Sequence, residues 1–176
     1  MMVPMIRKTL AATALVLMAV QPARAVDGIS TELGFNHDVR LWRAGLQWKW
    51  ERRWWRGARW GLGGYWDLSA GGWRTGQDTV YDLGLTPVFR LEASEPGSPY
   101  FEAAIGFHLL SDLRITDDRT FSTRFQFGDH VGVGARFGPR ERYDISLRLQ
   151  HLSNGGIRKP NPGIDFLQLR LQYHLK

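Results

Sequence analysis

Apolar and polar residues alternate along eight separate segments of this chain. In one segment the apolar positions are Phe101, Ala103, Ile105, Phe107 and Leu109. The residues between them include Glu102 and His108. Because successive side chains of a β-strand point to opposite sides, this alternation predicts a strand with one apolar face. No helix of useful length is indicated, so the sequence predicts an all-β fold.

The other seven segments repeat the pattern and are separated by residues that favour turns. Their apolar positions lie within residues 29–35, 42–50, 60–68, 81–89, 125–137, 143–149 and 167–175. Eight segments of about ten residues are what an eight-stranded antiparallel barrel requires. A soluble barrel of the lipocalin kind would turn its apolar face inward, and periodicity alone does not separate the two cases.

The composition of the second face decides between them. Charged and amide side chains occupy it, among them Glu32, Glu102, His108, Gln126, His130, Arg136, Asp144, Arg148, Gln168, Arg170 and Gln172. A narrow lumen can hold such groups when the charges pair, and the apolar face then meets hydrocarbon. Closing the sheet also leaves no unpaired backbone in the membrane. We therefore predict an eight-stranded antiparallel transmembrane β-barrel.

The N-terminus has the pattern of an export signal. Basic residues precede an apolar run at 10–20, and Ala23-Arg24-Ala25 supplies small residues for cleavage. The run is shorter than the roughly 20 apolar residues of a spanning helix. We predict a cleaved signal peptide at 1–25 and a barrel domain at 26–176.

The charge balance argues against a nucleic-acid partner. Residues 1–25 hold three of the 23 basic residues and no acid, which leaves 23 minus 3, or 20, against 17 acidic ones. Four arginines and four tryptophans share residues 50–60, a composition that could bind nucleic acid. In an exported chain it favours a membrane interface, where indole rings sit at headgroup level.

Bacterial barrels of this type usually keep both termini in the periplasm, so odd strands run outward. The longer connections at 69–78, 111–122 and 154–163 would then face outside, as expected. The connection at 51–59 is long for an inner turn. Its tryptophans and arginines suggest an interfacial anchor.

At the end of the seventh strand, two polar residues take the positions where the apolar stripe would continue. After Leu149 the same parity reaches His151 and Ser153, and on the eighth strand it reaches Asp165. Polar groups facing hydrocarbon are unfavourable and often functional. If residue numbers across the hairpin sum to 316, His151 lies opposite Asp165, with Cβ atoms about 5 Å apart. The residues then predict a triad in which Asp165 orients His151, His151 removes a proton, and Ser153 attacks a carbonyl.

The loop after Ser153 offers donors for the oxyanion of such a reaction. The candidates are the side-chain amide of Asn154, the N–H groups of Gly155 and Gly156, and Asn161. Arg158 and Lys159 on the same loop are candidates for contact with an anionic headgroup.

These residues resemble the PagL family of outer-membrane lipid A 3-O-deacylases. The resemblance rests on His151-x-Ser153-Asn154, on Pro160-Asn161-x-Gly163-Ile164 and on the acidic position Asp165, where a member of the family has glutamate. It implies hydrolysis of the ester-linked hydroxyacyl chain at the 3-position of lipid A in lipopolysaccharide, without metal or cofactor. It also implies a site at the outer leaflet of a Gram-negative outer membrane.

Three alternatives stay open at this point. An outer-membrane acyltransferase would move the acyl chain to an acceptor lipid, and an outer-membrane phospholipase would cleave a different lipid. A small barrel without enzymatic activity would bind partners through its loops. The sequence says nothing about oligomeric state.

Overall fold

The computed structural model describes residues 25–57, 59–76 and 78–175. Regular structure in these ranges is β-strand, apart from one 3-10 turn at Pro139–Glu141. No helix within them is both long and apolar enough to cross a membrane. The predicted signal peptide lies outside the described residues except for Ala25, and stays a prediction.

Nine strands follow one another along the chain. They are β1 (Gly28–Phe35), β2 (Arg40–Lys49), β3 (Trp55–Arg56), β4 (Trp60–Thr75), β5 (Asp78–Ala93), β6 (Pro99–Leu110), β7 (Phe125–Phe137), β8 (Tyr143–Ser153) and β9 (Ile164–His174). The short β3 lies beside β4, and the other eight form one antiparallel sheet in which β2 pairs with β4. Strand β1 also pairs with β9, which closes the sheet. The predicted all-β, eight-stranded antiparallel barrel is confirmed.

As predicted, alternate residues of a strand face the outside of the barrel and the lumen. On β8, Leu147 is 48% exposed, whereas Arg148 is 4% exposed. The same division holds along β6 and β9. An apolar belt of this size around the outside suits hydrocarbon and not water.

Paired charges fill the lumen. Glu102 accepts hydrogen bonds from Arg90 at 3.0 Å and from Arg148 at 2.6 Å. Glu32 accepts hydrogen bonds from Arg43 at 2.9 Å and from Arg148 at 3.1 Å. Because buried charges are unfavourable without partners, these links allow the charged face to lie inside.

The two ends of the barrel differ. Gly28 pairs with His174, so both described termini lie at one end, which we call the terminus end. The connections at 36–39, 111–124 and 154–163 lie at the other, the loop end. The loop end is closed by a buried apolar cluster of Val39, Leu41, Trp73, Val80, Leu110, Ile115, Phe121, Leu152, Ile164 and Phe166.

Two of the predicted connections differ from the structure. The connection predicted at 69–78 is wrong, because β4 continues to Thr75 and β5 begins at Asp78. Its glycines favour a turn by composition, yet Gly72 lies opposite Trp42, and a Cβ there would stand 3.2 Å from the indole nitrogen. The segment 51–59 is not a plain turn either, since it contains β3.

Candidate active site

The hairpin of β8 and β9 brings His151 and Asp165 together. They are partners in the register of the two strands, so their numbers sum to the predicted 316. The Nδ1 atom of His151 lies 2.6 Å from Oδ1 of Asp165. With Nδ1 carrying the proton donated to this carboxylate, Nε2 is the nitrogen left to accept a proton.

Both side chains lie on the outside of the barrel near the loop end. The side chain of His151 is 44% exposed and that of Asp165 is 82% exposed. Their inward neighbours Leu152, Ile164 and Phe166 belong to the buried apolar cluster. This packing fixes the backbone that carries the pair.

Ser153 is the last residue of β8 and shares the outward parity of His151. Its Oγ accepts a hydrogen bond from the N–H of Gly155 at 3.4 Å. No hydrogen bond joins Ser153 to His151, although the structure describes both side chains. Bonds between catalytic groups are often long before substrate binds, and the role of Ser153 stays a prediction.

Asn154 organises the loop that follows Ser153. Its side-chain amide donates to Ser122 Oγ at 2.9 Å and to the carbonyl oxygen of Arg158 at 2.7 Å. Its Oδ1 accepts from the N–H of Gly156 at 2.9 Å, and its own N–H donates to Asn161 Oδ1 at 2.9 Å. In this conformation the predicted donors Asn154 and Gly156 are already engaged, Asn154 partly with Ser122 of the 111–124 connection.

The N–H of Gly155 is therefore the predicted oxyanion donor that points toward Ser153. The side chains of Arg158 and Lys159 are exposed at the tip of the same loop. The structure thus gathers the predicted site residues at one edge of the barrel. Among the described residues, no group of three or more histidine, cysteine, aspartate or glutamate side chains could hold a metal ion.

Gly163 gives the ring of His151 the room that it occupies. A Cβ at Gly163 would lie 2.7 Å from Cε1 of His151. The residue also has a φ of 63°, a left-handed conformation that glycine adopts without strain. Position 163 therefore suits glycine for two separate reasons.

Sequence reasoning missed Asp129. This exposed residue on β7 is the register partner of His151, on the side away from Asp165. His151 is thus flanked by a carboxylate on each neighbouring strand. A signal was present, because Asp129 interrupts the outward apolar stripe between Phe127 and Val131.

A shallow groove of about 790 Å³ runs across the outer wall from this site. His151 and Asp165 line it together with apolar side chains of neighbouring strands, among them Ala103, Ile105, Val131, Leu149 and Leu167. Such a groove fits a hydrocarbon chain better than a polar ligand.

The family model for lipid A 3-O-deacylase (PagL) matches residues 40–174, which include every predicted site residue. The chain belongs to the PagL family. Among its relatives is lipid A deacylase PagL of Pseudomonas aeruginosa, 32% identical over 154 residues that cover 85% of this chain and 87% of that protein.

Two further comparisons agree with this placement. Lipid A deacylase PagL of Bordetella bronchiseptica is 43% identical over 94 residues, which are 53% of this chain and 50% of that protein. The crystal structure of the outer membrane enzyme PagL superimposes with a TM-score of 0.77 at 29% identity, and covers 84% of this chain and 99% of that one. This PagL family member is accordingly an outer-membrane β-barrel enzyme.

Proposed function

We propose that this protein hydrolyses the ester-linked 3-hydroxyacyl chain at the 3-position of lipid A, with Ser153, His151 and Asp165 as its triad. The observation that carries the proposal is the pair of His151 and Asp165 on the exposed outer wall of a PagL-family barrel. Nδ1 of His151 and Oδ1 of Asp165 lie 2.6 Å apart. A lipid is the substrate that can reach this wall. The alternative activities have no comparable observation in their favour.

The proposed reaction requires Ser153 to turn toward His151. His151 Nε2 takes the proton of Ser153 Oγ as the oxygen attacks the ester carbonyl, and Asp165 stabilises the imidazolium that forms. The tetrahedral intermediate collapses, and His151 returns the proton to the departing 3-oxygen of the sugar. Water, activated by His151, then releases the hydroxy fatty acid from Ser153.

The oxyanion of the intermediate needs a donor close to Ser153. The N–H of Gly155 is the group best directed for this role, since it already points at Oγ. Asn154, Gly156 and Asn161 hold the loop that carries it, through the hydrogen bonds described above. Of the four predicted residues, Gly155 thus stabilises the oxyanion and the other three stabilise the loop.

The position of the site suits the outer leaflet. It lies at the loop end, opposite the described termini, and barrels of this kind keep their termini on the periplasmic side. The acyl chain to be removed would lie in the apolar groove. Arg158 and Lys159 would contact the anionic headgroup from the loop tip.

Mass spectrometry of lipid A tests the proposal. Gram-negative cells would express the wild-type chain, Ser153→Ala, or the control Ser146→Ala, which makes the same change at a buried lumen position of the same strand. We expect the wild type and Ser146→Ala to remove one hydroxyacyl chain and Ser153→Ala to remove none. Unchanged lipid A with folded wild-type protein would contradict the proposal.

Lipid extracts from the same cells separate the alternatives. A deacylase releases free 3-hydroxy fatty acid, whereas an acyltransferase places the chain on an acceptor lipid. A phospholipase releases fatty acid from glycerophospholipid and leaves lipid A intact. A barrel that only binds partners changes no lipid.

A further inference from the structure

Between β2 and β4, the described residues 50–57 and 59 lie against the sheet at the terminus end. The N–H of Trp50 donates to the carbonyl oxygen of Gly64 at 2.9 Å, and that of Trp54 donates to Leu62 at 2.9 Å. Strand β3 then pairs with Leu62 and its neighbour Gly61. Residues 50–56 therefore prolong the sheet beyond the end of β2.

An aromatic cluster holds this segment on the outer wall. Trp50 stacks on Trp54 with ring centroids 5.3 Å apart, and both contact Phe89, at 5.0 Å and 4.9 Å. Trp66 meets the edge of Trp50 at 6.1 Å. Trp54 and the adjacent Trp55 stay about half exposed, at 48% and 52%. Indole rings that are half buried and half exposed are typical of a membrane interface.

Basic residues lie between these tryptophans in the sequence. Residues 50–60 contain four arginines and one acid, Glu51, which gives a formal charge of 4 minus 1, or +3. Arg53 reaches Glu92 at 4.0 Å. Arg52, Arg56 and Arg59 are exposed, and none of the three forms an ion pair with another residue of the described ranges. Three exposed guanidinium groups are thus available in the same segment as the exposed indoles.

The segment is well separated from the candidate active site. The ten residues of β2 lie between it and the loop end. At about 3.3 Å per residue along a strand, that is most of the thickness of a hydrocarbon core. A lipid that touches the segment therefore belongs to the leaflet at the terminus end.

We propose that residues 50–60, the Trp/Arg segment, bind the phosphate of anionic glycerophospholipids in the leaflet at the terminus end. Arg52, Arg56 and Arg59 supply donors for the phosphate oxygens, since a guanidinium group binds phosphate in a bidentate manner. The tryptophans hold the segment at headgroup depth. The site goes beyond the deacylase function and requires only that the barrel spans a membrane.

Tryptophan quenching by brominated lipid tests this site, because bromine quenches only the rings that it touches. The full chain would be refolded into phosphatidylcholine vesicles that contain a small fraction of brominated phosphatidylglycerol or, for comparison, brominated phosphatidylcholine. One arginine near an anionic surface raises the binding constant about fivefold. We expect the wild type to prefer phosphatidylglycerol by about fivefold or more.

Two matched triple variants localise the effect. Arg52→Gln/Arg56→Gln/Arg59→Gln should reduce the preference to near one. Arg74→Gln/Arg114→Gln/Arg119→Gln removes the same charge at the loop end and should keep it. Equal loss in both variants, or wild-type preference in the first, would overturn the proposal.

A second measurement covers the case in which a triple variant does not fold. Native mass spectrometry of the wild type and of Arg56→Gln counts bound phosphatidylglycerol directly, and we expect fewer adducts for the variant. A wild type that carries no phosphatidylglycerol would also overturn the proposal. Deacylation of lipid A in detergent should be unchanged in all these variants, so the two proposed functions fail independently.

Discussion

Nδ1 of His151 and Oδ1 of Asp165 lie 2.6 Å apart across a hairpin whose other outward side chains are mostly apolar. The two residues are direct register partners, so the short aspartate arm reaches the ring without a bend in either strand. Lipid around the barrel would screen this pair less than water does, which strengthens it. The relationship leads to a test of the acid.

Replacement of Asp165 by asparagine should reduce kcat by about a hundredfold or more, because an amide can hold the wrong imidazole tautomer and cannot stabilise imidazolium. Asp165→Glu should keep most of the activity, since it restores the carboxylate. The measurement is kcat for release of 3-hydroxy fatty acid from lipid A in detergent. Equal activity of the asparagine variant and the wild type would remove Asp165 from the triad.

Asp129 should matter less than Asp165, although it is also a register partner of His151. In the described structure its carboxylate forms no hydrogen bond with the ring, so it acts on the imidazolium only through its charge. We expect Asp129→Asn to lower kcat by about tenfold or less. The same fatty-acid assay measures this. If Asp129→Asn lowered kcat more than Asp165→Asn does, Asp129 and not Asp165 would be the acid of the triad.

Much of the site could be predicted from the sequence because strand parity assigns each residue to a face. Leu147, Leu149 and His151 share one parity, and a single assumed register was enough to pair His151 with Asp165. The same rule, applied to β7, would have found Asp129. The alternation of apolar and polar residues therefore predicts both the barrel and the pair of His151 and Asp165.

The loop contacts could not be predicted in the same way. Asn154 bonds to Ser122, 32 residues away, and no periodicity relates two irregular loops. The extension of β4 was missed because glycine composition cannot distinguish a turn from a strand position such as Gly72, which lies against the indole of Trp42 on the neighbouring strand. Both cases depend on contacts between distant parts of the chain.

Gly163→Ala should lower kcat while the barrel still folds. The new methyl group would displace His151, whose Cε1 would be 2.7 Å away, and the φ of 63° adds strain. Gly76→Ala is the control, because Gly76 has a φ of 58° with nothing within 4 Å of its added Cβ. Both should lose about 1 kcal/mol of stability, but Gly163→Ala alone should lose activity. Kinetics and urea unfolding of each variant test this, and equal activities would contradict it.

Leu147→Arg should destabilise the barrel by about 2–4 kcal/mol, because it places a cation near mid-bilayer on the outer face. Gln168→Ala, a lumen change, should have a smaller effect. Ile157→Arg makes a comparable change on an exposed loop residue and should have almost none. Reversible unfolding in lipid vesicles gives the free energies. A silent Leu147→Arg would mean that this face does not meet hydrocarbon.

The hydrogen bond from Asn154 to Ser122 offers a test of what Asn154 does. If Asn154 mainly holds the loop, Ser122→Ala should lower kcat in part, and adding it to Asn154→Ala should have little further effect, because both changes break the same contact. If Asn154 instead donates to the oxyanion, its loss alone should reduce kcat by about a hundredfold, and Ser122→Ala should be nearly silent. Both amide hydrogens of Asn154 are already donated, one to Ser122 of the 111–124 connection and one to Arg158 of its own loop, so we expect the first result. A double-mutant cycle on kcat, with Ser146→Ala as the control for loss of a hydroxyl group, distinguishes the two roles.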